Sequence, residues 1–202
     1  MSKSQSALRH AQWSEAKIHY EHGRSPVTYV YRGAKPHATP NEPWLVVAQS
    51  ALLKRLGVTG WGLYAARPFA EGGYIGKFGG TVVGNYPSRQ AAMAAPEARR
   101  LLRRGHDKLV TVRAAKGVDL LDAHGPPHLG MANDPRGTRL QPNAIVTDAG
   151  WMRTTRRVPA FSLGKTVEQN GEAEIRWSYG EDYWDLHALL GTDAAHAIVV
   201  DL

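Results

Sequence analysis

Apolar residues fall in short runs separated by glycine and proline along most of this chain, a texture of short strands and tight turns. Leu45-Val46-Val47-Ala48 is an unbroken apolar piece, as expected of a strand buried on both faces. Residues 109–112, 118–121, 144–146 and 174–177 predict further strands, and 27–31 predicts one near the N-terminus. Between residues 57 and 84 glycines recur at close intervals around aliphatic-aromatic fragments, the rhythm of strands joined by turns. One zone, 88–104, is helical: Ser88 caps its start, Pro96 interrupts or restarts it, and Gly105 stops it. A second short helix is expected over 182–190, ended by Gly191. The stretch 123–142 is rich in Gly, Pro, Asn and Asp and reads as ordered loop. The fold class these elements predict is mainly β, a β-rich α+β arrangement with few short helices.

The same pattern divides the chain. Residues 1–43 are polar, and Pro36, Pro40 and Pro43 forbid a continuous helix, so they form an N-terminal extension. Residues 44–191 form the domain, with a helical insert at 85–108 and a closing helix at 182–191, and 192–202 is a tail. Two hundred and two residues, 43% of them hydrophobic, suffice for one well-buried domain. Lys and Arg exceed Asp and Glu by 25 to 18, a net charge of +7, which favours acidic partners such as nucleic acid or chromatin. Arg99, Arg100, Arg103 and Arg104 concentrate part of that charge; they read as a solvated face or as a substrate or nucleic-acid contact. With no cysteine, disulfides, thiolate zinc sites and cysteine nucleophiles are excluded. No apolar run approaches bilayer length and the N-terminus lacks the apolar core of a secretory signal, so a soluble intracellular protein without a membrane partner is expected.

Several apparent motifs fail on detail. The glycine run 72–80 contains Lys77, but Phe78 follows it where a phosphate loop needs Ser or Thr, and no helical pattern begins there. His124 and His128 have the spacing of helical zinc ligands, yet Gly125, Pro126 and Pro127 between them break the helix, so no metal site is expected. His19 and His22 have no evident third ligand, and no Gly-x-Ser-x-Gly elbow is present.

Three segments in a fixed order carry more. Gly60-Trp61-Gly62-Leu63-Tyr64-Ala65, with Gly73-Tyr74-Ile75 and Phe78-Gly79-Gly80 after it, resembles the opening motif of SET-domain protein lysine methyltransferases. Asn133-Asp134 with Pro142-Asn143 resembles that family's Asn-His-Ser…Pro-Asn element, and 118–123 the strand leading into it. Glu174-Ile175-Arg176-Trp177-Ser178-Tyr179-Gly180 resembles the closing motif, which threads beneath that loop as a pseudoknot. The resemblance covers about residues 45–185 and implies a fold of several small sheets.

It also implies methyl transfer from S-adenosylmethionine to a protein lysine, with histone tails as substrate and a nuclear location. Tyr179 matches the catalytic tyrosine. Gly60, Trp61, Gly62, Asn133, Asp134 and Trp184 fall on cofactor-binding positions, Asn133 through its side chain, Trp61, Gly62 and Asp134 through main chain, and Trp184 by stacking on adenine. Phe78, Trp177 and Tyr183 would line the lysine channel. The chain departs from the family pattern in four places: Asp134 stands for a histidine, Phe78 for a frequent tyrosine, Trp177 for a Phe or Tyr that tunes methyl number, and Lys108 near a cofactor-contacting tyrosine. Glu172, Glu174, Glu181, Asp182 and Asp185 are expected to supply an acidic groove for a cationic tail. Two other readings stand beside this one: a catalytically weak SET-like module that holds chromatin or nucleic acid through its basic surface, and a small β-rich interaction protein in which the motifs are coincidental.

Overall fold

The computed structural model describes residues 29–31, 45–58, 60–104, 108–123, 129–162 and 165–190 of the 202. Within them short antiparallel strands form three small sheets. The first has the order β1 (Tyr29–Tyr31), β2 (Leu45–Gln49), β3 (Trp61–Ala65) and β10 (Glu174–Ile175). The second runs β4 (Tyr74–Lys77), β9 (Trp151–Thr154), β8 (Ala144–Val146), and the third β5 (Thr81–Tyr86), β7 (Val118–Asp122), β6 (Leu109–Arg113). The mainly β, α+β class expected from the sequence is the one observed.

The unbroken apolar character of β2 and β3 has a physical cause: this sheet is covered on both faces. Leu45 and Val47, with Leu63 and Ala65, enter the main core beside Ile75, Met152 and Ile175. The intervening Val46, Ala48 and Tyr64 point the other way, into a second cluster with Ala51, Phe161 and Val167. Alternate residues of a strand face opposite sides, so an apolar run here is two half-cores written in one line.

The helical zone breaks where the sequence places the break. Ser88 caps α2 (Arg89–Ala94), its Oγ accepting from the Ala91 amide at 3.1 Å. Ala95, ahead of Pro96, is extended at ψ 146°, as proline requires of its predecessor, and α3 (Pro96–Arg103) restarts with Pro96 in its first turn. Ala92, Met93, Ala98 and Leu102 bury the inner faces of these helices against Leu109, Leu120 and Tyr183. The closing helix, α4, spans Glu181–Leu190, one residue earlier than expected.

Among the described residues, several short elements escaped the sequence reading. Helix α1 (Ala51–Arg55) is only five residues long, too short for periodicity to reveal, and strand β9 alternates with exposed Trp151 and Arg153. A six-residue 3-10 segment, Glu168–Ala173, leads into β10. Strand 174–177 is shorter than expected: only Glu174 and Ile175 pair with β3, after which the chain turns to a different partner. His124, His128, Gly105, Gly191, His19 and His22 lie outside the described residues. Among the described residues no helix is long and apolar enough to cross a membrane, and no cluster of His, Asp and Glu could hold a metal.

Candidate active site

The floor of the site is a buried polar knot joining segments more than a hundred residues apart. Glu174 is fully buried, paired opposite Tyr64 on the edge of β3. Its Oε1 accepts from the Ser50 hydroxyl at 2.5 Å and its Oε2 from the Leu52 amide at 2.9 Å. Ser50 is also the cap of α1, its Oγ accepting from the Leu53 amide at 3.0 Å. The carboxylate occupies the space left by Gly62, where an added Cβ would stand 2.5 Å from Oε1 and 3.1 Å from the Ser50 main chain. Burial raises the Glu174 pKa above the ordinary carboxyl value; the Ser50, Leu52 and Asn133 donors and the Arg176 charge oppose the rise without cancelling it. Desolvation correspondingly lowers the pKa of Arg176, against the pull of Glu174.

Above this floor the chain from 174 to 177 is held on both sides. On one side lies β3. On the other, Asn143 donates through Nδ2 to the Glu174 carbonyl at 2.8 Å and accepts through Oδ1 from the Arg176 amide at 2.7 Å, while the Asn143 and Ala144 amides both donate to the Arg176 carbonyl at 3.0 Å. The Trp177 amide donates to the Asn133 carbonyl at 3.2 Å. An asparagine mimics a main-chain donor–acceptor pair, so Asn143 extends the ladder where no strand is present. The Asn133-Asp134 and Pro142-Asn143 elements and the closing segment, widely separated in sequence, are therefore one hydrogen-bonded unit.

This unit delivers an aromatic cluster. Phe78 and Trp177 lie 5.6 Å apart, Trp177 and Tyr179 5.2 Å, and Tyr179 meets Tyr183 edge-on at 4.8 Å. Trp184 stacks on Tyr179 at 5.9 Å and 13°. The Tyr179 hydroxyl and the Trp177 indole N–H both donate to the Ala132 carbonyl, at 2.9 and 3.1 Å. Asp134 sets the cluster's frame: its Oδ2 accepts from the Tyr179 amide at 2.7 Å and from Trp184 Nε1 at 3.1 Å, and its Oδ1 from the Arg136 amide at 2.8 Å. Gly180, at φ +81°, makes the turn into α4, and an added Cβ there would stand 2.7 Å from Arg89.

Two concavities flank Tyr179. A narrow one of about 60 Å³ is lined by Met93, Leu109, Val110, Trp177, Tyr179 and Tyr183, with Arg89 at its rim donating to the Tyr179 carbonyl at 2.6 Å. An open cleft of about 260 Å³ lies beside Asp134, Arg136, Gln141, Ser178, Glu181 and Trp184. Of the channel residues expected from the sequence, Trp177 and Tyr183 line the narrow cavity and Phe78 packs behind Trp177.

The remaining expected site residues fall into one chain of contacts with different roles. Asn133 Nδ2 donates to the Trp61 carbonyl at 2.9 Å and reaches Ser50 and Glu174 at 3.2 and 3.4 Å. Its Oδ1 accepts no hydrogen bond among the described residues. Gly62 is filled by Glu174 and Gly60 packs on Leu53, so both glycines serve packing within the protein. Trp184 uses its ring on Tyr179 and under the Arg136 guanidinium, 5.6 Å from the ring centroid. One expectation is corrected: Glu174 does not belong to an acidic groove, because its pairing with β3 buries it, and Glu181 is bonded to Arg136 at 2.9 Å. Sequence reading missed Ser50 altogether; its one signal was a serine directly ahead of an apolar helix turn. Neither the protein-family models nor the curated proteins compared with this chain match it.

Proposed function

We propose that this chain is an S-adenosylmethionine-dependent protein lysine N-methyltransferase acting on histone tails. The observation that carries the reading is the position of Tyr179: its hydroxyl is fixed on the Ala132 carbonyl, its side chain lines a narrow cavity, and Trp184, stacked on its ring, lines an open cleft. A lysine side chain is slim, whereas the adenosyl cofactor is broad, and the two concavities, about 60 and 260 Å³, differ in size in the same sense. The cleft residues fit the cofactor chemically. Asp134, Glu181 and Gln141 offer acceptors to ribose and purine donors, while Asn133, buried and outside the cleft lining, carries a further acceptor in its Oδ1.

When bound, the cofactor would supply an electrophilic methyl group. The protein's own residues have three tasks. Met93, Leu109, Val110 and Trp177 desolvate the lysine amine and favour its neutral form, the form that holds a lone pair. The Tyr179 oxygen and the Ala132 carbonyl, rigidly bonded to each other, orient that amine. The Asp134 carboxylate keeps Tyr179 and Trp184 at a constant separation through two hydrogen bonds.

The test is incubation of the purified chain with methyl-labelled S-adenosylmethionine and mixed histones, beside Tyr179→Phe. Label on histone lysine that drops by about 100-fold or more in the variant supports the reading. Cofactor binding without label on any protein substrate assigns the chain instead to a binding module, and absence of cofactor binding overturns the proposal.

A further inference from the structure

The outward face of α3 has features that the methyl-transfer site does not use. Arg99, Arg100, Arg103 and Arg104 fall within roughly 140° of the helix circumference at 100° per residue, while Ala98 and Leu102 occupy the opposite, buried side. Pro96 and the four arginines, largely through their aliphatic stems, line a surface groove of about 440 Å³. Among the described residues that lining includes no carboxylate and no aromatic ring. The one acidic residue of the helix, Glu97, is turned to the Tyr86 hydroxyl at 3.2 Å. Arg99 Nε is buried without a hydrogen-bond partner among the described residues. Like charges so crowded repel one another, so an anion placed against this face relieves the repulsion.

We infer that this groove is a docking site for the sugar–phosphate backbone of double-stranded nucleic acid. Guanidinium forks match phosphate oxygens in bidentate geometry, and the Arg99/Arg103 and Arg100/Arg104 pairs each repeat one helical turn apart, suiting a linear array of anions. The absence of an aromatic ring in the lining leaves no platform on which unpaired bases could stack, which favours a duplex over a single strand. Contacts to phosphate oxygens fix position and carry no base-sequence information, so binding through them is independent of base sequence. The inner face of α2 and α3 packs against Tyr183, so a duplex on the outer face lies on the far side of the same helix layer as the narrow cavity. The inference stands apart from methyl transfer: it survives or fails whether or not the chain is an enzyme.

Four phosphate contacts predict a slope of about −3.6 for log K against log salt, so affinity for a fluorescein-labelled 24-base-pair duplex falls about a hundredfold from 50 to 200 mM NaCl. The experiment measures anisotropy of that duplex with the full chain, with Arg99→Gln/Arg100→Gln/Arg103→Gln/Arg104→Gln, and with Lys116→Gln/Arg139→Gln/Arg153→Gln/Lys165→Gln. The last removes the same charge from exposed positions elsewhere. Loss of at least tenfold affinity and most of the slope in the α3 variant, but not in the charge-matched control, is the expected result. The double variant Arg103→Gln/Arg104→Gln, confined to two exposed side chains, loses about half the slope and serves if the fourfold variant does not fold. Equal loss in variant and control overturns the site in favour of diffuse charge. Tighter binding of single-stranded nucleic acid or of polyglutamate than of duplex overturns the assigned partner.

Discussion

Gly62 and Glu174 show how one residue's absence of a side chain decides another's chemistry. The carboxylate lies where a Cβ at 62 would be, and the other near neighbour of that position is the Ser50 main chain. Gly62→Ala therefore has no flexible neighbour to displace, and we expect a loss of about 2 kcal/mol in urea unfolding, typical of overpacking. Glu174 also carries a pH signature. Its folded pKa is raised by burial, so the folded chain binds the proton more tightly than the unfolded one. Stability is then fully present below the ordinary glutamate value and declines as pH rises through the window up to the folded pKa. Glu174→Gln, which imitates the protonated group, loses this dependence; the two proteins should be closest in stability at the acid end of that window and diverge as pH increases, the wild-type chain falling below the variant. A penalty that instead grows with pH would mean that the donors around the carboxylate outweigh its burial. Tyr179→Phe belongs to this scale too: it removes one partly buried hydrogen bond, about 1 kcal/mol, so a collapse of activity would exceed any structural effect.

At the scale of elements, the closing segment is held by side chains more than by strand pairing. Only two residues of β10 pair with β3, and the Asn143 side chain makes two hydrogen bonds, one to the Glu174 carbonyl and one to the amide of Arg176 just beyond the strand. Asn143→Ala leaves a buried carbonyl and a buried amide without partners, and a destabilisation of about 3 kcal/mol by chemical denaturation follows. Asp134 plays the matching part for α4, tying the Tyr179 amide and the Trp184 indole to the loop. In Asp134→Ala the Tyr179 amide should exchange with deuterium at least tenfold faster while amides of β2 and β3 keep their protection, since the core clusters do not include Asp134. Uniform loss of protection would show instead that the loop and the core unfold together. Helices α2 and α3 were legible in the sequence because cap, proline and apolar spacing agree there. Helix α1 was not, because a five-residue helix between two strands has too few positions for periodicity to register.

At the scale of the whole molecule, the described residues form three small sheets with short helices around one main core and two satellite clusters, and the aromatic group around Tyr179 touches both the main core and one satellite. Much of this was written locally. Runs such as 45–48 and 109–112 specify strands, Ser88 and Pro96 specify helix limits, and the aromatic spacing of Trp177, Tyr179, Tyr183 and Trp184 marks a cluster, since each depends on neighbours within a few residues. The sequence by itself thus determined the β-rich class, most element positions and the residues that gather around Tyr179. Tertiary structure alone decided what those residues touch. That Glu174 is buried beside Ser50, that Asp134 spends its carboxylate on Tyr179 and Trp184, and that Asn133 points its amide at Trp61 all join positions 45 to 124 apart in the chain. Hydrogen bonds act over about 3 Å of space and carry no record of sequence separation, so no local pattern encodes them; only the packing of sheet on loop brings their partners together.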